Sequence, residues 1–546
     1  MNMNKTIASI VITSILLSLP AIADTNNDSN VEEIISITDI LRSHTEGEPA
    51  SFSVRDVVWS PDGSKLLLRY TSSPSQSEQA DELYVVNADG TELNRIVSSK
   101  RIKSEGACIS SPVWSPTGNK IAFHLSQFRG ALLAVVNTDG TGLKAIGTDL
   151  SDMESILSSV HGSGWQRSFR WSPDGTKMAF EWEKGMSTYI YVADADGSNL
   201  VKLYPDAPNS HPVWSHDSGK IAFKTKSSLM SVNIDGTGLT YLSNGTDGTK
   251  YGIKYGYHWS PDDSKLLYVT STKEVDEEEQ FGIFVVNADG TKRVEIMRGA
   301  YFENTRWSPG GRKILFALGV GEDHELYAVD TDGRNLILLS KGDISGASWS
   351  PDGGRIAFMK DHSLHTMNTD GTGKMMLSAV WSYAWNPSGD KIAFSLVVDT
   401  KTGKKADFNA VYQNPDSYEA SIFMSNPDGT ERVRLIQGGY NIIKSWSPDG
   451  SRLLMTSLDE KMRSDKAVMI KLSNVTPISI NIPSKPLETA SVHPTSGETP
   501  EETGTAVMET TAPATDTVET PGFTAILSVI GLIVSIFYIS KYRRSV

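Results

Sequence analysis

The chain has 546 residues, 39% hydrophobic and 21% charged, the composition of a folded domain with polar appendages rather than of a protein with many membrane spans. Its formal net charge is −14 and its body has no long Lys/Arg run, so a surface that tracks phosphates has no electrostatic basis and nucleic acid is excluded as an expected partner. The one cysteine, Cys108, excludes an intrachain disulfide framework and a Cys-cluster zinc site, and reads as a small buried residue.

The first element is an address. Lys5 precedes a mostly apolar run from Ile7 to Leu19, and Ala21-Ile22-Ala23 has the small-x-small pattern of a secretory cleavage site, so residues 1–23 are expected to be a signal peptide. The mature chain is then exported and starts near Asp24. Residues 24–50 form a lead-in, and Val31 to Ala50 is expected to add a strand or short helix that helps close the large repeat region beginning at residue 51.

Residues 51–482 repeat. A Trp recurs at Trp59, Trp114, Trp171, Trp214, Trp259, Trp307, Trp349, Trp385 and Trp446, followed by "SPDG" or a variant such as "SPTG", "SHDS" or "NPSG". The spacing runs from 36 residues, Trp349 to Trp385, to 61, Trp385 to Trp446. A short apolar run such as "KIAF" follows each, then "NADGT" at Asn87 and Asn287 or a relative of it, then a last short strand. The ninth unit lacks the Asp-Gly turn, and its strands are expected at "AVMIKL" and "TPISINI". Ser-Pro-Asp-Gly puts Pro where a type I turn wants its fixed φ, and Asn-x-Asp-Gly supplies the left-handed Gly of a bulged hairpin. Four antiparallel strands repeated at this period predict an all-β propeller of eight or nine blades, with each Trp packed between blades.

Trp-Ser-Pro-Asp-Gly, then Lys-Ile-Ala-Phe, then Asn-x-Asp-Gly-Thr resembles the blade repeat of the TolB-like propellers, found also in tricorn and prolyl-oligopeptidase-type enzymes. The resemblance covers about Ser53 to Pro483 and recurs nine times. It implies a propeller that serves as a docking platform. Six or seven blades are common in that family, and nine units depart from this.

Up-and-down strands place the Ser-Pro-Asp-Gly and Asn-x-Asp-Gly turns on one face and the irregular inserts on the other. Those inserts are Ser72 to Asp81, Thr148 to Trp165, Lys273 to Gln280 and Val397 to Ala420. Binding residues are usually carried on loops held by a rigid scaffold, so recognition is expected on the insert face. Tyr412, Gln413, Asn414, Asp416 and Tyr418 mix aromatic and hydrogen-bonding groups suited to a sugar or peptide, and His161, Trp165, Gln166 and Arg167 do the same. Loops packed on their own aromatics are the competing reading of both. Glu274, Asp276, Glu277, Glu278 and Glu279 form an acidic run that suits a cation or a basic partner, or is simply solvated. Three residues before each Trp stand Asp56, Ser111, Ser168, His211, Gly256, Asn304, Gly346, Ser382 and Ile443, expected to ring the channel mouth; Asp56 and His211 are binding candidates.

Pro483 to Thr520 is rich in Thr, Ser, Pro and Glu, and residues 483–520 read as a disordered stalk. Asn27, Asn244 and Asn474 begin N-glycosylation sequons. Phe523 to Ile539 is a 17-residue uncharged apolar run followed by Lys541, Arg543 and Arg544, expected to span the membrane with its C-terminus inside. Pro521-Gly522-Phe523 before that run resembles the PGF-type C-terminal sorting signal of archaeal surface proteins, which implies removal of the helix of residues 521–546 and transfer to a lipid anchor. A plain membrane anchor is the alternative.

No Gly-x-Ser-x-Gly elbow, phosphate loop or His-Glu-x-x-His helix occurs, and the Asp-x-Asp-Gly turns at Asp194 and Asp330 lack the later ligands of a calcium loop. The expected function is therefore a non-catalytic, surface-anchored platform for an envelope protein or glycan, with no cofactor and no metal. A structural component of the envelope layer is the alternative. A metal-dependent polysaccharide lyase is the second alternative, and it needs His211, His258 and Asp56 to converge.

Overall fold

Why the repeat reads Ile-Ala-Phe is a matter of packing. Ile121 and Phe123 of the second repeat face the first, where they meet Leu67, Leu83 and Val85, whereas Ala122 faces the third, where Trp171, Met178 and Phe180 need the room. The same division holds for Ile221, Ala222 and Phe223. A large-small-large triplet on a period-two strand thus gives each sheet one bulky and one recessed face, and the sheets nest around a ring. Phe123, Phe180, Phe223, Phe316 and Phe394 are each fully buried.

The computed structural model describes residues 31–44, 51–73, 80–99, 108–127, 130–148, 165–184, 187–205, 211–225, 228–243, 253–275, 278–320, 323–399, 401–402, 417–437, 440–458 and 465–473. The signal peptide, the stalk, the apolar run and Pro521, Gly522 and Phe523 lie outside the described residues. Among the described residues no helix is long and apolar enough to cross a membrane.

The described strands form nine four-stranded antiparallel blades, numbered here in chain order. Their inner strands are Ser51–Trp59, Cys108–Trp114, Trp165–Trp171, Val213–Trp214, Ile253–Trp259, Phe302–Trp307, Ile344–Trp349, the second half of Met375–Trp385, and Tyr440–Trp446. Met375–Trp385 runs unbroken from the outer edge of blade 7 to the inner edge of blade 8. One parallel bridge, Trp165 to Ala131, ties blade 3 to blade 2.

The ring closes through the front of the chain. Strand Val31–Ser36 pairs antiparallel with Asp465–Leu472 and is the outer strand of blade 9. That is the position expected for "TPISINI", which lies outside the described residues. The helix Ile37–His44 comes next and buries Ile37, Thr38, Ile40 and Leu41 against Trp59, Leu66 and Leu68 of blade 1 and Leu454 and Met469 of blade 9. Inside this seam the Ala467 N–H donates to the Thr38 hydroxyl at 2.9 Å. Where a strand or a short helix was expected between Val31 and Ala50 the chain has one of each, and they fill the gap between last and first blade.

A collar of turns makes the same closure on one face. In each Ser-Pro-Asp-Gly turn the Gly amide bonds back to the Ser carbonyl, as Gly63 does to Ser60 at 2.9 Å. Gly63 has φ +71 and would set a Cβ 3.2 Å from Pro448 of blade 9, and Gly311 stands likewise against Pro261 of blade 5. Proline of one turn therefore rests on glycine of the next.

Five of the nine repeat tryptophans bond to the blade before. The indole N–H of Trp114 donates to the Val58 carbonyl at 3.1 Å, Trp214 to Arg170, Trp259 to Val213, Trp307 to His258 and Trp446 to Ala384. Each acceptor is the residue before the Trp of the preceding blade.

Half-buried between blades 2 and 3, His124 lies edge-on to Phe169 with centroids 4.9 Å apart, and desolvation pushes its pKa down to about 4. The unfolded chain therefore takes up a proton that the fold refuses. Stability is expected to fall as pH drops from about 6.5 toward about 4, and a His124→Leu protein should lose less over that window in denaturant titrations at stepped pH. Parallel loss in both proteins would remove His124 as the cause.

Candidate functional site: the channel wall and the insert face

The turn face spends its polar groups locally. On the turn face, Asp62 accepts from the Ser60 hydroxyl at 2.6 Å and from the Ser64 amide at 3.0 Å, and Asp89 accepts from the Thr91 amide and hydroxyl. The pattern recurs at Asp174, Asp217, Asp262 and Asp449. Hydrogen bonds from Ser260 and Ser264 hold Asp262 down to about 2. These carboxylates are committed to their own turns. A pocket of about 500 Å³ opens on this face between blades 8 and 9. It is a seam, since Lys391 at its wall is held by Asn426 and Glu431 at 2.6 Å each.

The opposite face carries the other connections, and several ladders run further into it than the sequence suggests. The insert expected at Val397 to Ala420 is shorter, because Val397 pairs with Ala420, Val398 with Glu419 and Asp399 with Tyr418. Tyr418 is thus a half-buried strand residue, whereas Tyr412, Gln413, Asn414 and Asp416 lie outside the described residues. In the acidic run Glu274 pairs with Glu279 and Val275 with Glu278 as strand residues, whereas Asp276 and Glu277 lie outside the described residues. Ser72 and Asp81 are strand residues too. His161 lies outside the described residues. Trp165 and Arg167 stand in the inner strand of blade 3, opposite Glu183 and Glu181. Gln166 is structural: its amide oxygen accepts from the Leu133 amide and its nitrogen donates to the Ile146 carbonyl, clamping blade 3 to blade 2.

The residues three before each Trp share a feature that residue type does not announce. Ladder register slips at or beside this position in blades 1, 2, 3, 5, 6, 7, 8 and 9. Ser111, Ser168, His211 and Asn304 adopt φ of 52, 40, 44 and 52, the left-handed region that a side chain disfavours. Small, polar or Gly residues were visible there; the bulge that needs them was not. Bulges re-aim side chains and recur beside functional sites.

Two of these strained residues meet. The Ser168 hydroxyl and His211 Nδ1 stand 2.7 Å apart across the joint between blades 3 and 4. The His211 amide donates to Glu181 Oε1 at 2.6 Å, and the Tyr257 hydroxyl donates to the His211 carbonyl at 2.9 Å. Glu181 is 1% exposed. Burial lowers the His211 imidazole; Glu181 opposes that, and the cations Lys224 and Arg170 reinforce it. Burial also lowers Lys224, again against Glu181.

Asp56 and His258 are elsewhere. Asp56 pairs with Arg69 at 2.5 Å. His258, on the inner strand of blade 5, is lowered by burial and then by Arg306. Among the described residues no group of three or more His, Cys, Asp and Glu is placed to hold a metal ion, so His211, His258 and Asp56 do not assemble as one.

No family model matches the chain, and no curated protein matches it. Among solved structures the chain is similar to TolB from Acinetobacter baumannii, at 15% identity over 68% of this chain and 90% of that one, with a TM-score of 0.29. It is similar to an oligogalacturonate lyase in complex with manganese, at 13% identity over 56% and 88%, TM-score 0.35. A eukaryotic initiation factor is similar at 11% identity over 75% and 93%, TM-score 0.48. At these values none of the three bears on what the chain does, and the fold rests on its own strand pairing.

Proposed function

We propose that this chain is an exported, surface-anchored, non-catalytic platform that binds an envelope protein or glycan through its insert face. The observation that carries the reading is the asymmetry of the faces. Every short turn of one face spends its polar groups on itself and its neighbour, whereas the long irregular connections gather on the other. The signal-like N-terminus, the Thr/Ser/Pro/Glu-rich stretch and the Pro-Gly-Phe-led apolar run support display at the outer membrane face through a helix or a lipid anchor.

The test joins Asp399 to Tyr418 by a short Gly/Ser turn, removing residues 400–417 while keeping the ladder intact. Wild type and variant are screened against envelope extract and purified envelope glycans. A ligand that wild type binds and the folded variant loses supports the platform. Binding unaffected by the replacement sinks the assignment to this insert, and self-assembly without any ligand in either form favours a structural component of the envelope.

A further inference from the structure

One level of the central channel wall carries cations without an acid. The residue before each Trp stands at the same level of its inner strand, and around the ring this level reads Val58, Val113, Arg170, Val213, His258, Arg306, Ser348, Ala384 and Ser445. It holds two guanidiniums and an imidazole but no carboxylate, in a chain of net charge −14. Val58 and Val113 are 38% and 43% exposed there, so this level is open to solvent.

Where blades 3 and 4 meet, Arg170 pairs with Ala179 on the strand that carries the buried Glu181, its guanidinium donates to the Phe169 carbonyl at 3.0 Å and its own carbonyl takes the Trp214 indole of blade 4; its charge and that of Lys224 act on the His211 imidazole, and Glu181 acts on both His211 and Lys224. The Glu181 carboxylate is engaged by the His211 amide and lies inside the wall, while Arg170 is exposed at its surface. With His211 neutral, the described groups sum to about one positive charge, which suits a monoanion, and a guanidinium offers paired donors that match a carboxylate. Ser168 and His211 hold left-handed conformations here, a cost that persists where surrounding contacts fix a side chain's aim.

We propose that this stretch of channel wall binds a ligand carboxylate, with Arg170 as the direct partner and Lys224 and His211 supplying field and a further donor. The carboxylate belongs either to a free small acid or to an acidic side chain of a longer peptide. The site lies within the ring and does not depend on residues 400–417, so it stands or falls separately from the platform reading.

The experiment titrates the full-length protein with succinate, with a hexaglutamate peptide, and with inorganic phosphate as a control, by calorimetry and by NMR of the His211 ring. Binding of succinate or of the peptide should weaken at least tenfold in Arg170→Gln and weaken with added salt, while Arg334→Gln, a change to an exposed arginine in a turn, should leave it alone. The probe that binds tells which source of carboxylate the site accepts. On wild type alone, a saturating carboxylate should move the His211 titration to higher pH, a reading that survives if Arg170→Gln fails to fold. Failure of both carboxylates to bind at millimolar concentration, equal binding by Arg170→Gln, or an unmoved His211 titration under saturation overturns the proposal.

Discussion

A protein lacking residues 31–44 is expected to lose its cooperative unfolding transition. The deletion takes away the outer strand of blade 9 and the helix whose Ile37, Ile40 and Leu41 fill the seam to blade 1. It also removes the side chains that pack with Trp59, Leu66, Leu454 and Met469 in that seam. An open ring has two raw blade faces, and a blade cannot bury both of its faces alone. A milder form is measurable: Leu41→Ala, at a site that is fully buried, should cost about 2 to 5 kcal/mol in denaturant titrations. If the truncated protein melts within a few degrees of the intact one, closure resides elsewhere.

The second large effect is expected at Glu181. Replacing it with Leu leaves the half-buried His211 amide without its acceptor and Lys224 without the carboxylate that counters its burial, at a cost on the order of 3 kcal/mol. Glu181→Gln keeps the acceptor and should cost less. The same variants carry a sign that a purely steric defect lacks. Glu181 raises the His211 pKa against burial, so its removal should drive the imidazole titration lower still, read by NMR in the Glu181→Gln protein. A titration that stays put, or rises, would show that Glu181 does not govern His211.

The blades were legible in the sequence because each is announced twice, by the turn after the Trp and by the Asp-Gly turn, and both have a local steric cause. The lead-in was expected to help close the ring, but its place in the last blade was not legible, because Val31–Ser36 pairs with a strand more than four hundred residues away and no turn links them. "TPISINI" reads as a strand for the same local reasons that make any alternating segment one, and pattern alone does not say which segment takes the last edge. Loop lengths were overestimated where polar strands continue a ladder, as at Asp399 and Glu274. At the channel wall His211 was visible as a residue, but Glu181 and Lys224 were not singled out. They come from neighbouring strands of blades 3 and 4, and only the ring brings them beside it.

The manner of closure also decides how the ring carries mechanical load. Strand Asp465–Leu472 is flanked on both sides, by Arg452–Leu458 and by Val31–Ser36, in antiparallel ladders. A pull applied through the residues after Leu472 runs along this strand, so both rows of hydrogen bonds are sheared together rather than peeled one at a time. A body tugged from its C-terminal side would therefore yield late and abruptly.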